Sequence, residues 1–565
     1  SYFLVTNACV DTARVHPPRL GQPMVQAVIR HHRPDRASGS EALPPAPDTV
    51  RPVTPRIEFH QPLRPHADVV RERENEEALG GMRNPRRAAE RQNLFPCGHL
   101  VRDVIETLLD ERPAIIKDCV DAIGSETHPG PGDADVAECN RRMLAALPDH
   151  GWLPPPDDEV ETEIDACLLE AWRASAGDVD QQATAWLRTG SPAGIDKQYD
   201  VCGVFPYTDK VPDARDLVFH SPDFSNYLTV EEDPAATGEI DKLIATGYVR
   251  AYDSIEAVRA VLGCDPVMSK LKMITKIVSA TVTKRRLILD CLMSGSNGRA
   301  HQRERVVLPR ITDVIHDVLR CMLAMKDGQT IVQLVLDFTD AFWKVPLNPS
   351  ERQWFVAEYQ GKFLVWRRVA QGSVNGPNVF GRLSALTARM TQALVSTSEA
   401  RLQQYIDDPC TTIRGTEKRR KRIVALFLLF WRVLGWDLST HKAQQGVQVD
   451  WIGLNIHATH SDITVQVKAD FIKGFKALLH SMARLRWISQ DDLRSFTGKA
   501  NHIANVLSSW RPFLSDVWGA VTAKSKATAP GKRIRIKQVA PVLDWLRAFM
   551  RGQSGSLKRT WIYED

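Results

Sequence analysis

The chain holds ten cysteines in 565 residues, yet no two are spaced C-x-x-C. That absence argues against a structural zinc site and a disulfide framework, and a reducing setting inside the cell fits best. Long apolar runs are missing too. The longest, Ile423 to Trp431, is stopped by Arg432, well short of the roughly 20 residues that cross a bilayer. The chain opens on Ser with no charged-then-apolar leader, so it reads as a piece of a longer polypeptide without a secretory signal, intracellular and with no membrane partner. No internal repeat is found. A dominant charge is also absent: 73 basic against 68 acidic residues leave +5, so nucleic-acid binding must be argued from local clusters. Apolar content of 43% and charged content of 25% are those of a globular protein. The length calls for three or more domains.

Along the chain, residues 1–95 are rich in Pro, Arg and His without a helical or strand period, which predicts a disordered or extended leader. Its histidines (His16, His31, His32, His60, His66) are irregularly spaced and read as solvated. Residues 96–180 carry amphipathic segments such as Leu100–Leu109 and Ala134–Leu147, with no chemistry to assign. Residues 181–330 predict helices and one clear strand around Arg286–Asp290. The run 331–337 is apolar and β-rich, a buried strand. Two strands are expected around the turn Gln360-Gly361-Lys362, a helix over 378–396, a hairpin over 400–414, a helix over 417–435, short strands at 447–456 and 462–467, and helices from 468 to 522. The fold class is α+β: an antiparallel sheet backed by helices, between flanking modules.

The informative pair is Asp407-Asp408, after the strand-like run ending Gln404-Tyr405-Ile406. Neighbouring strand residues point to opposite faces, so adjacent carboxylates approach one spot only at a tight turn. Charge gathered there calls for a hard divalent cation. Asp337 ends the buried strand at 331–337, followed by Asp340. If the two strands are neighbours, three carboxylates meet at one sheet edge, the arrangement that two-metal phosphoryl transfer needs. Each acidic pair alone is commonly a solvated turn; their order and surroundings raise the case.

Those surroundings resemble the reverse transcriptases of retroelements, of the long-terminal-repeat and tyrosine-recombinase type, over roughly residues 270–525. Leu336-Asp337-Phe338-Thr339-Asp340-Ala341-Phe342 resembles the first palm motif. Gln371-Gly372-Ser373-Val374-Asn375-Gly376-Pro377 resembles the second, Tyr405-Ile406-Asp407-Asp408 the tyrosine-x-Asp-Asp box, and Gly435 to Lys442 the fourth. Trp451-Ile452-Gly453-Leu454 is similar to the primer-grip hairpin, Lys284 to Asp290 to the fingers strand, and Leu493 to Lys499 to the helical region after the palm. Two departures stand out: Ala370 where many relatives have Pro, and no Arg soon after Asp290.

The resemblance implies a right-hand polymerase with fingers (181–330), palm (331–456) and helical thumb (457–525). Residues 526–565 would be a linker and the first strand of a ribonuclease H-like domain, without template-degrading activity. It implies that Asp337, Asp407 and Asp408 hold two Mg²⁺ or Mn²⁺ ions, and that Lys442 serves as general acid or charge clamp. Lys284, Arg286, Asp340, Ala341, Phe342, Gln371 and Gly372 would bind the incoming deoxynucleoside triphosphate, with Phe342 excluding a 2′-hydroxyl. Trp451, Ile452 and Gly453 would grip the primer on its RNA or DNA template. The basic run Lys418–Arg422 reads as a solvated helix face. Two alternatives stay open: another palm-type polymerase making RNA, and a remnant that only binds nucleic acid.

Overall fold

The computed structural model describes residues 71–565, apart from 72, 76, 156–159, 211, 214, 278–282, 483, 508–509, 523–532, 554–555 and 563–565. Most of the predicted leader therefore lies outside the described residues. Its end does not, and there the expectation needs correcting. Residues 82–91 include a packed helix, α1 (Pro85–Arg91), whose Pro85, Ala88 and Ala89 are buried. Met82 is buried as well, its carbonyl accepting from the Gln404 N–H at 2.9 Å. Five helices follow: α2 (Phe95–Glu111), α3 (Ala114–Ala122), α4 (Asp133–Ala146), α5 (Ala166–Ala176) and α6 (Gln181–Thr189). Asp165 caps α5 at the Leu168 N–H, and Asp180 caps α6 at the N–H groups of Gln182 and Ala183, the side-chain acceptors that helix starts need.

The next module carries more strands than expected. β1 (Val249–Tyr252) stands apart from the ribbon of β2 (Leu271–Ile277) and β3 (Thr283–Leu289). Helix α7 (Ile311–Leu323), expected in the fingers, packs beneath the central sheet instead, because its buried stripe Ile311, Val314, Ile315, Val318 joins the core under β4 (Thr330–Val335). The hairpin β5 (Val356–Tyr359) and β6 (Lys362–Trp366), expected in the palm, pairs through β6 with β1 in a three-stranded sheet separate from the central one. Its turn, Gln360-Gly361, has φ +49 and +74, as a two-residue hairpin of this twist demands.

The central sheet has the order β9-β4-β8-β7, all antiparallel, with β7 (Ala400–Tyr405), β8 (Asp408–Gly415) and β9 (Gln444–Gly446). Helices α8 (Gly376–Ala393) and α9 (Glu417–Val433) lie against it. Strand β4 is buried on both faces. Val332 and Leu334 enter one apolar core with α2–α6, α8 and α9; Ile331 and Val335 enter a second with α7 and the C-terminal helices. That alternation is the period of two that a strand imposes. The run Ile423–Trp431 is buried throughout because α9 is covered by the sheet on one side and α2, α3 and α4 on the other. A helix apolar all round must be enclosed.

A second sheet follows, with β10 (Gln448–Trp451), β11 (Leu454–Ala458) and β12 (Asp462–Val467) in sequence. Helices α10 (Ala469–Met482), α11 (Gln490–Ala504) and α12 (Arg511–Thr522) form the thumb-like bundle. The segment expected as a linker is folded into it. Ile536, Val539, Val542, Leu543 and Leu546 are buried in the second core, and α13 (Ala540–Met550) packs on α10 and α12. The final strand, Lys558–Ile562, pairs with β12, while residues 563–565 lie outside the described residues. Among the described residues no helix is long and apolar enough to cross a membrane.

Candidate active site

The acidic residues converge because strand pairing continues past the end of β4. The Leu336 N–H donates to Pro409 O at 3.2 Å and the Phe338 N–H to Asp407 O at 2.9 Å. These bonds set Asp337 beside the β7–β8 turn, where Tyr405 faces Asp408 and only Ile406 and Asp407 intervene. One carboxylate oxygen from each of Asp337, Asp407 and Asp408 lies within 4.8 Å of the others.

The turn is strained and held. Ile406 has φ +58, a left-handed conformation that costs a β-branched residue about 1–3 kcal/mol. Its carbonyl accepts from Ser384 Oγ at 2.6 Å and from Gln404 Nε2 at 3.0 Å. On the other side, Trp451 Nε1 donates to Asp408 O at 3.1 Å, and its ring meets Tyr405 edge-on with centroids 6.2 Å apart. Ser384 and Gln404 escaped the sequence reading. Gln404 stands next to the tyrosine motif and could have been suspected; Ser384, one polar residue in a buried helix, gave no signal.

The loop after α9 completes the site. The Thr339 N–H donates to Asp437 O at 2.8 Å and the Ser439 N–H to Asp337 O at 2.9 Å. Lys442 Nζ lies 2.9 Å from Asp337 Oδ2.

Burial pushes the Asp407 carboxyl up to about 6; the charge of Asp337 adds to this, and those of Arg286 and Lys442 oppose it. Burial, then the charges of Asp407 and Asp337, push Asp408 up to about 7. Carboxylates that repel one another in a half-buried pocket are relieved by a cation, and oxygen-only donors suit a hard one. Among the described residues this is the one cluster of three or more acidic, His or Cys side chains close enough to share an ion.

The other predicted residues fall as follows. Arg286 is on β3, paired with Ile274; the side chain of Lys284 lies outside the described residues. Asp340 has φ +49, is exposed, and sits 3.7 Å from Lys242. Ala341 is buried and opens the short turn Ala341–Lys344. Phe342 is half-buried, its ring stacked on Phe380 at 4.4 Å. The Gln371 carbonyl accepts from the Leu289 N–H at 3.1 Å, and a Cβ on Gly372 would lie 2.0 Å from Leu289 O. The close approach that Gly372 permits is thus to β3. Ile452 and Gly453, with φ +43 and +79, form the β10–β11 turn, against His502 of α11. The basic run 418–422 is not wholly solvated: Arg419 pairs with Glu106 and Glu399, and Arg422 with Glu106 and Asp110.

An antiparallel sheet ending in three convergent carboxylates, backed by two long helices and followed by a tight hairpin against that end, is the arrangement expected above for the palm motifs. Residues 267–456 match the family described as reverse transcriptase (RNA-dependent DNA polymerase), and the chain is similar to retroviral polyproteins. It is 25% identical over 169 residues to the Gag-Pro-Pol polyprotein of bovine leukemia virus (isolate Australian), covering 28% of this chain and 12% of that protein. To the Pro-Pol polyprotein of simian foamy virus type 1 it is 25% identical over 201 residues, covering 35% of this chain and 15% of that protein. The match thus spans less than a sixth of either curated relative. Solved structures of the foamy viral protease-reverse transcriptase with double-stranded DNA align at 14% identity, one over 73% of this chain and 71% of the other with a TM-score of 0.38.

Proposed function

We propose that the chain is an RNA-directed DNA polymerase that adds deoxynucleotides to a primer 3′ end on a nucleic-acid template. The observation that carries this reading is the convergence of Asp337, Asp407 and Asp408 within a reverse transcriptase domain. These three would hold two divalent cations, Mg²⁺ or Mn²⁺, which when bound neutralise charge on the attacking primer oxygen and the departing pyrophosphate.

The remaining chemistry falls to the chain's own groups. Lys442, held on Asp337, carries a proton and a positive charge for the leaving group. Arg286 offers a planar fork to phosphate oxygens. Asp340 and Ala341 turn the backbone beneath the triphosphate, and Gln371 and Gly372 anchor the second motif to β3, the strand that carries Arg286. Phe342, fixed by its stack on Phe380, leaves no room for a 2′-hydroxyl, the group that separates RNA from DNA precursors. The turn Trp451–Gly453 supports the primer end, and the Trp451–Asp408 bond ties it to the acidic residues.

Primer extension on a primed RNA template, with chelator added in a parallel reaction, tests the reaction. Phe342→Ala tests the sugar choice. The ratio of kcat/KM for ribonucleotides over deoxynucleotides should rise at least about tenfold, a change of roughly 1.4 kcal/mol. An equal loss for both substrates would make Phe342 a packing residue only. No extension by the unchanged chain would favour a remnant that binds without chemistry.

A further inference from the structure

The helices before residue 190 carry no catalytic side chain, yet their connecting segments touch the loop that brings Lys442 to Asp337. The Asp165 N–H donates to Leu434 O at 3.0 Å, and the Gly124 N–H to Thr440 O at 2.9 Å. These two bonds bracket the loop at both ends. Gly435, with φ +86, lies so close that a Cβ there would sit 2.0 Å from the Glu163 carbonyl oxygen. Between the bracketing bonds, Asp437 is held by Lys344 Nζ at 2.7 Å and Arg432 Nη1 at 3.0 Å. Lys344 is buried, and its carbonyl accepts from Thr162 Oγ1 at 2.5 Å. The opposite side of the same loop reaches the acidic residues through Ser439 N to Asp337 O and Lys442 Nζ to Asp337 Oδ2, both 2.9 Å.

The helical segments are in turn fixed to the palm. Arg389 of α8 pairs with Asp178, neither side chain having any exposed surface, and Arg382 pairs with Asp180. Arg419 and Arg422 of α9 pair with Glu106 of α2. A module anchored on both palm helices, with backbone donors on each end of the loop, leaves that loop little freedom to shift.

We propose that residues 95–190 are a positioning element of the polymerase, in which Gly124, Thr162 and Asp165 set the 434–443 loop so that Lys442 stays on Asp337. This rests on the polymerase reading above. Gly124, Thr162 and Asp165 are positioning residues: they touch the loop and its support, not the reacting atoms.

The test uses the full chain. Asp165 has φ −72, which proline adopts without strain. Asp165→Pro removes the N–H that bonds Leu434, while Asp165→Ala removes only the carboxylate. Relative to Asp165→Ala, Asp165→Pro should lower the rate of single-nucleotide addition about tenfold or more, with primer–template Kd changed less than twofold. Amide hydrogen exchange over 436–443 should speed up in Asp165→Pro only. A second pair guards against misfolding: Thr162→Val should lose rate several-fold, and Thr162→Ser should restore it. Equal rates and equal exchange within both pairs would overturn the proposal, as would a loss seen in Kd alone. If the unchanged chain extends no primer while exchange over 436–443 still responds to Asp165→Pro, the polymerase reading fails and the mechanical coupling stands.

Discussion

Asp178→Ala should be among the most damaging single changes outside the acidic cluster. Asp178 accepts from Arg389 Nε and Nη2, both at 2.8 Å, and neither side chain reaches solvent. Among the described residues Arg389 Nη1 has no hydrogen bond, so Asp178 is the one carboxylate bonded to the guanidinium. Removing one partner of a buried pair leaves an uncompensated charge and costs about 3–5 kcal/mol. The Asp178 carboxylate also accepts from the Asp180 N–H at 2.9 Å, worth about 1 kcal/mol more. Against a whole-domain stability of about 5–15 kcal/mol, that is a large share. Urea unfolding followed by tryptophan fluorescence should show the midpoint falling by roughly 2–3 M, for a slope of about 2 kcal/mol per M. The double change Asp178→Leu with Arg389→Met should recover most of the loss, because no charge is then left buried. A single-variant loss below about 1 kcal/mol, or a double variant no better than the single, would refute the reasoning and the claim that the N-terminal helices share a core with α8 and the central sheet.

Two further changes probe other parts of the molecule. Gly372→Ala places a Cβ 2.0 Å from Leu289 O at φ +128; it should cost more than the ~1–3 kcal/mol of a strained residue and lower the melting temperature by several degrees, whereas an unaltered melt would contradict the close approach. Asp317→Asn tests a buried acid that burial pushes up to about 6, against a hydrogen bond from Gln403 and the nearby charge of Arg401. A raised folded pKa means the native state holds the proton more tightly, so stability is lost as pH rises from about 4 through 6, on the order of 3 kcal/mol at neutral pH. The Asn variant should therefore melt higher than the unchanged chain at pH 7.5 and match it near pH 4; a gain that persists at pH 4 would contradict this sign.

The acidic cluster was readable because its residues sit in short local motifs. Asp337 closes an apolar β run, and Asp407-Asp408 follows Tyr405 at a turn, so strand period and turn geometry suffice to bring them together. Other elements depend on partners far away in sequence. The amphipathic stripe of α2 predicts a helix but does not say that α9 covers it. The charges on Arg419 and Arg422 look solvated until Glu106, some three hundred residues earlier, is placed against them. The hairpin at 356–366 reads as two strands, and only its pairing with Val249–Tyr252 places it in a sheet apart from the central one. Residues 533–550 are short and basic at their start, which reads as a linker; the buried face of Val542, Leu543 and Leu546 becomes meaningful only beside α10 and α12.

Single-nucleotide primer extension by Asp407→Asn tests the central claim most directly. The amide keeps the shape of the side chain and removes one charge from the three that converge. If these carboxylates are the catalytic centre, the rate should fall at least about a thousandfold, roughly 4 kcal/mol of transition-state stabilisation, with primer–template Kd within twofold and the melting temperature unchanged or higher. Retention of more than about a tenth of the rate would contradict the account.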